Sequence, residues 1–421
     1  MNLEELRARL GTPELPKVVA ACPGSGAPLE SILPGYELDG PSGRCFVVDS
    51  VRHASERHGR HAFGILGELG TVSLPGPGIQ PELFPVDLRT AAFIDTETTG
   101  LGYGVGTQVF VIGVGHVDED SFRIRQFFLR HPGEEEAMLS ALARHLEPFS
   151  TVVSYNGRSF DWPLLENRFV LRRIRLSRPD PHHLDLLHLS RRLWKLRVDS
   201  CSLTSIEKTI LGAGRAQDDV EGWMIPQIYF QYLRTGAAGP LRRVLYHNLQ
   251  DILTLALLTA HVELVLRDPW SGLVEHPIDF LSLGRVCASV GEIDTAVSCL
   301  KRALAGDLPA RLEAEAFLRL ALIEKRRQNW PAALPLFERV VDRPGFQRIA
   351  CVEMAKYHEH VARDHQQAMS LTVRALRGMD YQPATSWPGT THMELLHRRR
   401  RLMRRLGMST GRPDWTHAHA S

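Results

Sequence analysis

Two periods of hydrophobic and polar positions follow each other along this chain, and the change between them falls near residue 270. From about residue 90, short apolar runs bounded by polar turns predict buried strands, with stretches of helical period between them. From about residue 277, apolar residues recur every three or four positions, which predicts helices throughout. The pattern therefore predicts an α/β domain at 90–266 followed by an all-helical domain at 277–380.

Five strands and two helices can be placed individually in the first of these regions. The strands are expected at 91–97, 108–117, 122–129, 151–155 and 183–187, and the helices at 134–146 and 161–173. Three consecutive strands followed by alternating helices and strands indicate a mixed five-stranded sheet flanked by helices. Further helices are expected up to residue 266.

Residues 1–89 are rich in glycine and proline and are predicted to be an accessory segment with a little β-structure. One strand is expected at 44–48. The stretch from His58 to His61 is interpreted as a surface turn, because no other ligand cluster lies near it in sequence. No function follows from this segment alone.

A helix-turn-helix pattern repeats over residues 277–380. Its anchor alanines, Ala296, Ala333 and Ala368, lie 37 and then 35 residues apart, close to the roughly 34-residue period of tetratricopeptide repeats. The spacing predicts a tetratricopeptide-like array that binds a protein partner, and a generic helical bundle is the alternative. We expect residues 381–421 to form a basic, partly disordered tail, in which residues 398–405 either bind phosphate or cap the last repeat.

Composition is that of a soluble globular protein, with 43% hydrophobic and 23% charged residues in a chain of 421. We expect no apolar run long enough to cross a membrane. Six scattered cysteines without a C-x-x-C pair, and an N-terminus without signal-peptide features, predict a cytoplasmic location and exclude a zinc ribbon. A net charge of only +2 means that nucleic-acid affinity has to come from local patches.

Two carboxylates, Asp95 and Glu97, end the strand predicted at 91–97. Alternate residues of a strand point to the same face, so these acids repel each other and lose hydration at the end of a buried strand. A divalent cation between them would offset that cost. Alone, the pair is more typical of an ordinary strand end with solvated acids.

Two further motifs add carboxylates that change this interpretation. Asp161 opens the helix at 161–173, where it is suited both to cap the helix and to bind a metal. His247 and Asp251 are four residues apart and share the face of a later helix, where a hydrogen-bonded His–Asp pair in the core is the alternative. Asp95, Glu97, Asp161 and Asp251 together favour two Mg²⁺ or Mn²⁺ ions, which would clamp the attacking and leaving oxygens of a phosphoryl displacement. His247 would accept a proton from the attacking water or orient it.

These three motifs resemble the DEDD exonuclease branch of the ribonuclease H-like superfamily, over about residues 90–266. The resemblance is strongest to a bacterial family of predicted exonucleases with C-terminal tetratricopeptide repeats, through the stretch His183–His188, Ser202-Leu203 with Glu207, and His247 to Asp251. It implies a 3′→5′ exonuclease that hydrolyses the terminal phosphodiester and releases 5′-mononucleotides. It also implies that the four carboxylates are the metal ligands.

The sequence departs from this superfamily at the residue that assists the water. The superfamily's common versions place a Tyr four residues before the last Asp or a His five before it, whereas here His247 holds the first spacing and Tyr246 the second. Helix geometry favours His247, and Tyr246 is the alternative if the helix begins later.

Substrate-binding residues are predicted in two groups. Thr98, Leu101, Asn156 and Phe160 match positions that line the 3′ end of the substrate in such enzymes, with core packing as the alternative for Leu101 and Phe160. Arg172 and Arg173 belong to a basic segment at 168–197 that is suited to follow a single strand, with Trp194 either stacking on a base or lying in the core. Asp185 either supports the site from behind or is an ordinary strand-end residue.

The leading hypothesis is thus a nuclease acting on single-stranded RNA or DNA. Two rivals stay open: an adaptor that binds nucleic acid without cutting it and uses the repeats for protein partners, and a structure-specific endonuclease. Retention of all four carboxylates speaks against the adaptor, and the length of the products would separate an exonuclease from an endonuclease.

Overall fold

The computed structural model describes residues 29–40, 42–76, 82–100, 106–178, 181–215, 219–378 and 391–408. The chain divides into two compact units. The first contains the N-terminal segment to residue 76 together with 83–191 and 200–263. The second contains 77–82, 192–199 and the chain from 264 onward.

The described residues of the first unit form a mixed sheet of seven strands. In spatial order these are β1 (Tyr36–Gly40), β2 (Gly43–His53), β9 (Ser121–Phe128), β8 (Val109–Asp118), β7 (Ala91–Thr98), β10 (Thr151–Ser154) and β11 (His182–Asp185). Pairing is antiparallel from β1 through to β7, and parallel from β7 through β10 to β11. A short hairpin joins β3 (Arg57–His58) to β4 (His61–Ala62), and β5 (Thr71–Pro75) pairs antiparallel with β6 (Leu83–Asp87).

The mixed α/β architecture is confirmed, but the predicted sheet of five strands was too small. The strand predicted at 44–48 is part of β2, which pairs with β9 from Phe46 opposite Phe128 to His53 opposite Ser121. Without β2, the edge of β9 would present a row of unpaired backbone groups. The N-terminal segment therefore completes the sheet by adding β2 and β1.

Helices cover the sheet and connect its strands. They are α1 (Leu29–Ile32), α2 (Gly64–Leu69), α3 (Glu135–Leu146), α4 (Asp161–Leu171), α5 (Leu186–Trp194), α6 (Leu203–Ile206), α7 (Ile225–Thr235) and α8 (Leu241–Arg267). Three 3₁₀ turns lie at Leu88–Thr90, Pro132–Glu134 and Gly222–Met224, and a π-helical turn lies at Glu207–Leu211.

Helix α8 lies against β8 at two glycines that share one face of that strand. A Cβ atom on Gly113 would sit 2.3 Å from Asn248 Oδ1, and one on Gly115 would sit 2.6 Å from Ile252 Cγ2. Any larger residue at either position would push the helix away from the sheet. The two glycines therefore set how close α8 comes to β8 and its neighbour β7.

Helix α8 is an exception to the expectation that no apolar run is long enough to cross a membrane. Among the described residues it is the one helix that passes by length and composition, with a mean hydropathy of 1.6 over its most apolar 18 residues. In this fold 78% of that stretch is buried. Burial against the sheet accounts for the apolar run, because a core helix can be hydrophobic on nearly every side.

The second unit is helical. Its helices are α9 (Pro277–Ser289), α10 (Ile293–Leu304), α11 (Ala310–Arg326), α12 (Trp330–Glu338), α13 (Gln347–His360), α14 (His365–Arg377) and α15 (His392–Arg405). The anchor alanines Ala296, Ala333 and Ala368 are fully buried on α10, α12 and α14. The predicted helical region is therefore present, and its assignment to the tetratricopeptide class stays a prediction.

The basic helix α15 is held by a buried acid of α13. Arg398 and Arg401 each approach a carboxylate oxygen of Glu359 to 2.6 Å, and the Glu359 side chain is fully buried. Leu395 and Leu402 of α15 are buried as well. These contacts support the capping interpretation of the tail for those two arginines. The rest of the predicted tail, at 381–390 and 409–421, lies outside the described residues.

Candidate metal centre

Asp95 and Glu97 lie at the end of β7, next to the loop that follows β10. The two strands are parallel neighbours, so their carboxyl ends meet at one edge of the sheet. The chain leaving β10 turns through Asn156 and enters α4 at Asp161. Thr96 donates a hydrogen bond from its hydroxyl to Asp161 Oδ1, so the first residue of α4 is tied to β7.

Helix α8 is fixed to the same strand by Asn248. This side chain is fully buried, and its Nδ2 donates to Asp95 Oδ2 at 2.8 Å and to the Asp95 carbonyl oxygen at 3.2 Å. Gln126 in turn donates from Nε2 to Asn248 Oδ1 at 2.8 Å. The contact holds one oxygen of Asp95 in place and brings the next turn of α8, with Asp251, to the end of β7.

The pKa values of three of these carboxyl groups show how closely they are grouped. Burial raises the pKa of Asp95 well above its usual value, and the charges of Asp251 and Asp161 raise it further. Burial and the charge of Asp95 do the same to the pKa of Glu97. Burial also raises the pKa of Asp161 to about 6, although the hydrogen bond from Thr96 acts against it. All four predicted metal ligands therefore share one electrostatic environment, which a bound cation would relieve.

Arg215, which the sequence analysis did not single out, joins the cluster through its guanidinium. It donates from Nη2 to Asp251 Oδ1, from Nε to Glu207 Oε2 at 2.7 Å, and from Nη1 to Asp219 Oδ2 at 3.2 Å. Its side chain is 6% exposed. Six carboxylates thus lie in or beside the cluster, and Arg215 offsets one of their charges. The remaining negative charge and the oxygen-rich donor set fit hard divalent cations.

His247 lies on the same face of α8 as Asp251, as its spacing predicts. Its Nε2 is 3.4 Å from Asp251 Oδ2, and its Nδ1 is 2.9 Å from Asp219 Oδ1. Donor atoms of Glu97, His247 and Asp251 all lie within 4.8 Å of one another. Tyr246, the alternative to His247, is one residue earlier and therefore about 100° away around the helix.

The N-terminal segment packs behind this cluster. The interpretation of the stretch from His58 to His61 as a surface turn was therefore wrong. His58 and His61 are not in a surface turn but are buried, with only 8% and 7% of their surface exposed. His58 Nε2 lies 2.9 Å from Thr254 Oγ1 and 3.6 Å from Glu207 Oε1. Burial lowers the pKa of His58 to about 4, so the ring is neutral near pH 7.

Backbone contacts explain why the stretch between these histidines packs inward. Gly59 has a φ of +63°, and a Cβ atom there would sit 2.2 Å from the carbonyl oxygen of Leu211. The next residue, Arg60, donates its backbone N–H to the same oxygen at 2.8 Å. On the far side of the hairpin, His61 Nε2 meets His261 Nδ1 of α8 at 2.8 Å.

Asp185 accepts hydrogen bonds from the loop that leads to Asp161. This agrees with the alternative that Asp185 supports the site from behind. Its Oδ1 accepts hydrogen bonds from the backbone N–H groups of Asn156 at 2.8 Å and Leu187 at 3.0 Å. Its Oδ2 accepts one from the N–H of Arg158 at 3.2 Å. Asn156 is held in the left-handed conformation, with a φ of +68°.

The predicted substrate residues differ in how exposed they are. Thr98 is nearly buried and donates from Oγ1 to the carbonyl oxygen of Gly100 at 2.8 Å, while Asn156 is exposed and Phe160 is half-buried beside Asp161. Leu101 lies outside the described residues.

The two predicted substrate arginines differ in their contacts. Arg172 pairs with the buried Glu135 at 2.6 Å, as its neighbour Arg168 does at 2.5 Å, whereas Arg173 is exposed at the end of α4. Trp194 is 4% exposed, which agrees with the core alternative and leaves no face for stacking on a base.

A protein-family model agrees with the architecture of the first unit. The family model RNase_H_2, described as RNase_H superfamily, matches residues 92–263. The uncharacterized protein YprB of Bacillus subtilis (strain 168) is 32% identical over 337 residues, which cover 79% of this chain and 80% of YprB. A family B DNA polymerase structure from Pyrobaculum calidifontis matches with a TM-score of 0.32 and 14% identity, over 68% of this chain and 34% of the polymerase chain.

Proposed function

This chain belongs to the family of Bacillus subtilis YprB and carries an RNase H-like superfamily domain, and we propose that it is a metal-dependent 3′→5′ exonuclease acting on single-stranded nucleic acid. An RNase H-like domain supports nucleic-acid processing in general. The finer proposal rests on one observation: carboxylates from β7, α4 and α8 converge on the end of the central strand, with His247 beside them.

The donor set fits two divalent cations. Asp95, Glu97, Asp161 and Asp251 would hold them, and Arg215 with Asn248 would keep Asp251 and Asp95 in position. When bound, two such ions stabilise the charge that develops on the attacking and leaving oxygens of a phosphodiester displacement. The four carboxylates carry more charge than Arg215 can offset, which favours two ions over one.

The protein's own residues supply orientation and substrate contacts. Exposed Asn156 and half-buried Phe160 precede Asp161 on the loop after β10, where a 3′-terminal nucleotide would lie. Arg173, exposed at the far end of α4, is placed to meet a phosphate further along the strand. Arg172 contributes less, because Glu135 already uses its guanidinium. The helical unit is proposed to bind a protein partner.

A degradation assay tests this function. A 5′-labelled oligonucleotide, as RNA and as DNA and as single and double strand, is incubated with Mn²⁺ or Mg²⁺. We expect progressive shortening of the single strand from its 3′ end. Asp95→Asn should slow this by about 100-fold or more, because it removes a metal ligand.

Asp118→Asn is the matched control, because it removes a carboxylate from the end of β8, where Arg123 pairs with it. It should leave the rate unchanged. Internal cuts would identify an endonuclease instead. Binding without any cleavage, or equal rates for the native chain and Asp95→Asn, would overturn the proposal.

A further inference from the structure

His247 lies between the carboxylates of Asp219 and Asp251, and only Asp251 is a predicted metal ligand. On one side its Nδ1 is 2.9 Å from Asp219 Oδ1, and on the other its Nε2 is 3.4 Å from Asp251 Oδ2. Glu97 supplies a third donor atom within 4.8 Å of those of His247 and Asp251. The imidazole therefore spans from Asp219 to the metal centre.

The position of Asp219 decides which ring nitrogen carries the proton. Arg215 Nη1 lies 3.3 Å from Nδ1 and could donate to it, but Asp219 Oδ1 lies closer. If Nδ1 had no proton, its lone pair would face a carboxylate oxygen at 2.9 Å, which is repulsive. The proton therefore belongs on Nδ1, and the lone pair of a neutral His247 lies on Nε2.

Nε2 lies 3.4 Å from Asp251 Oδ2, and both atoms are donors that one cation can bind. Ligand atoms about 2.1 Å from one cation lie about 3.0–3.4 Å apart at angles between 90° and 110°, and the observed 3.4 Å falls in that range. Glu97 supplies a third donor atom within 4.8 Å, which a cation site needs and a hydrogen bond between His247 and Asp251 does not.

Hydrogen bonds already hold Asp219 and Asp251, the two carboxylates that contact His247, in place. Asp219 Oδ1 also accepts from the backbone N–H of Val220 at 2.9 Å, and its Oδ2 accepts from Arg215. Arg215 holds Oδ1 of Asp251 as well, which leaves Oδ2 of that residue for a ligand. A histidine that gives one N–H to a carboxylate and turns the other nitrogen to a cation is the usual arrangement of a metal-bound histidine.

We propose that His247 is a metal ligand, with Glu97 and Asp251, and that Asp219 is the residue that positions it. The inference rests on the proposed function for the presence of divalent cations at this centre. It replaces the expected role of His247 as the group that activates the water. One of the two cation positions then has a nitrogen donor, which favours Mn²⁺ over Mg²⁺ because imidazole binds transition metals better than it binds magnesium.

Electron spin echo spectroscopy of the Mn²⁺-loaded chain tests this without measuring activity. A nitrogen bound to Mn²⁺ gives ¹⁴N modulation of the echo, and labelling the histidines with ¹⁵N changes that modulation. We expect the modulation in the native chain and in the control His131→Gln, an exposed histidine, and its absence in His247→Gln. Modulation that persists in His247→Gln would overturn the proposal.

Calorimetry with Mn²⁺ and Mg²⁺ gives the second measurement, and Asp219→Asn provides a variant that keeps the ligand itself. We expect Asp219→Asn to weaken Mn²⁺ binding by about 10- to 100-fold, with a smaller loss for Mg²⁺. Equal losses for both ions would overturn the inference.

The two possible failures are distinguishable. Mn²⁺ bound to the native chain without ¹⁴N modulation overturns the role of His247 and leaves the nuclease intact. No Mn²⁺ binding by the native chain overturns both.

Discussion

In the helical unit, buried Glu359 accepts hydrogen bonds from Arg398 and Arg401, whereas at the end of β7 Asp95 and Glu97 lie among further carboxylates. Burial raises the pKa of Glu359, but the hydrogen bond from Arg401 and the charge of Arg398 outweigh it and lower the pKa overall. Burial and like charges together raise the pKa of Asp95 and Glu97. Glu359 therefore contributes to the stability of the helical unit, while Asp95 and Glu97 of the sheet unit cost stability in the absence of a cation.

Glu353 of α13 strengthens the comparison. It accepts hydrogen bonds from Lys325 and from Lys356, the latter at 2.6 Å. Burial raises its pKa, yet the two lysines lower it overall. Two buried acids of the helical unit are therefore balanced by cationic side chains, which is the usual requirement for burying a charge. The carboxylates around β7 share Arg215, and such an imbalance of charge is typical of a functional site.

The largest expected effect is on stability, at Glu359. Glu359→Gln should lower the free energy of unfolding by about 3 kcal/mol, because it leaves Arg398 and Arg401 without their anionic partner. Chemical denaturation monitored by circular dichroism measures this. Glu338→Gln, at an exposed position of α12, is the matched control and should change little. A Glu359→Gln chain as stable as the native one would remove the contrast between the two units.

Asp161→Asn should change the free energy of unfolding in the opposite direction. In metal-free protein we expect it to raise the free energy of unfolding by about 1–3 kcal/mol at pH 8, because the native carboxyl has a pKa of about 6 in the fold and about 3.9 in the unfolded chain. Below about pH 4 both states are protonated and the gain should vanish. It should grow between about pH 4 and pH 6, where the unfolded chain has lost the proton that the folded carboxyl still keeps, and it should level off above about pH 6.

Denaturation curves of native and Asp161→Asn chains in a chelator, from pH 4 to pH 8, give this difference directly. A constant difference across that range, or destabilisation at pH 8, would show that Asp161 is not held in an unfavourable environment.

The smallest effect is expected for an exposed pair of the helical unit. Asp294 contacts Arg327, but its side chain is 96% exposed. Water and salt screen such a pair, so Asp294→Asn should leave the thermal unfolding midpoint unchanged within error. A clear drop in the midpoint would mean that burial is not what separates the two classes of ion pair.

The strands and helices that carry the candidate metal centre could be predicted because their signals are local. Asp95 and Glu97 follow an apolar run, Asp161 stands at a helix start, and the spacing of His247 and Asp251 fits one helix face. Each needs only a few neighbouring residues to be recognised.

The supporting residues could not be predicted in the same way, because their partners are distant in sequence. Arg215 and Asp251 are 36 positions apart, and His58 and Thr254 are 196 apart. Arg215 and Asp219 lie between helices, where no periodic pattern indicates direction. The strand at 44–48 was recognised, but its pairing with β9 depends on which sheet edge is open, and local propensity carries no information on that point.

Calorimetric titration of Mn²⁺ into the metal-free chain tests the metal centre most directly. We predict saturable binding of two ions per chain, the same binding by Asp118→Asn, and loss of at least one of the two ions in Asp95→Asn. No saturable binding by the native chain, or binding by Asp95→Asn equal to that of the native chain, would contradict a metal centre at the end of β7.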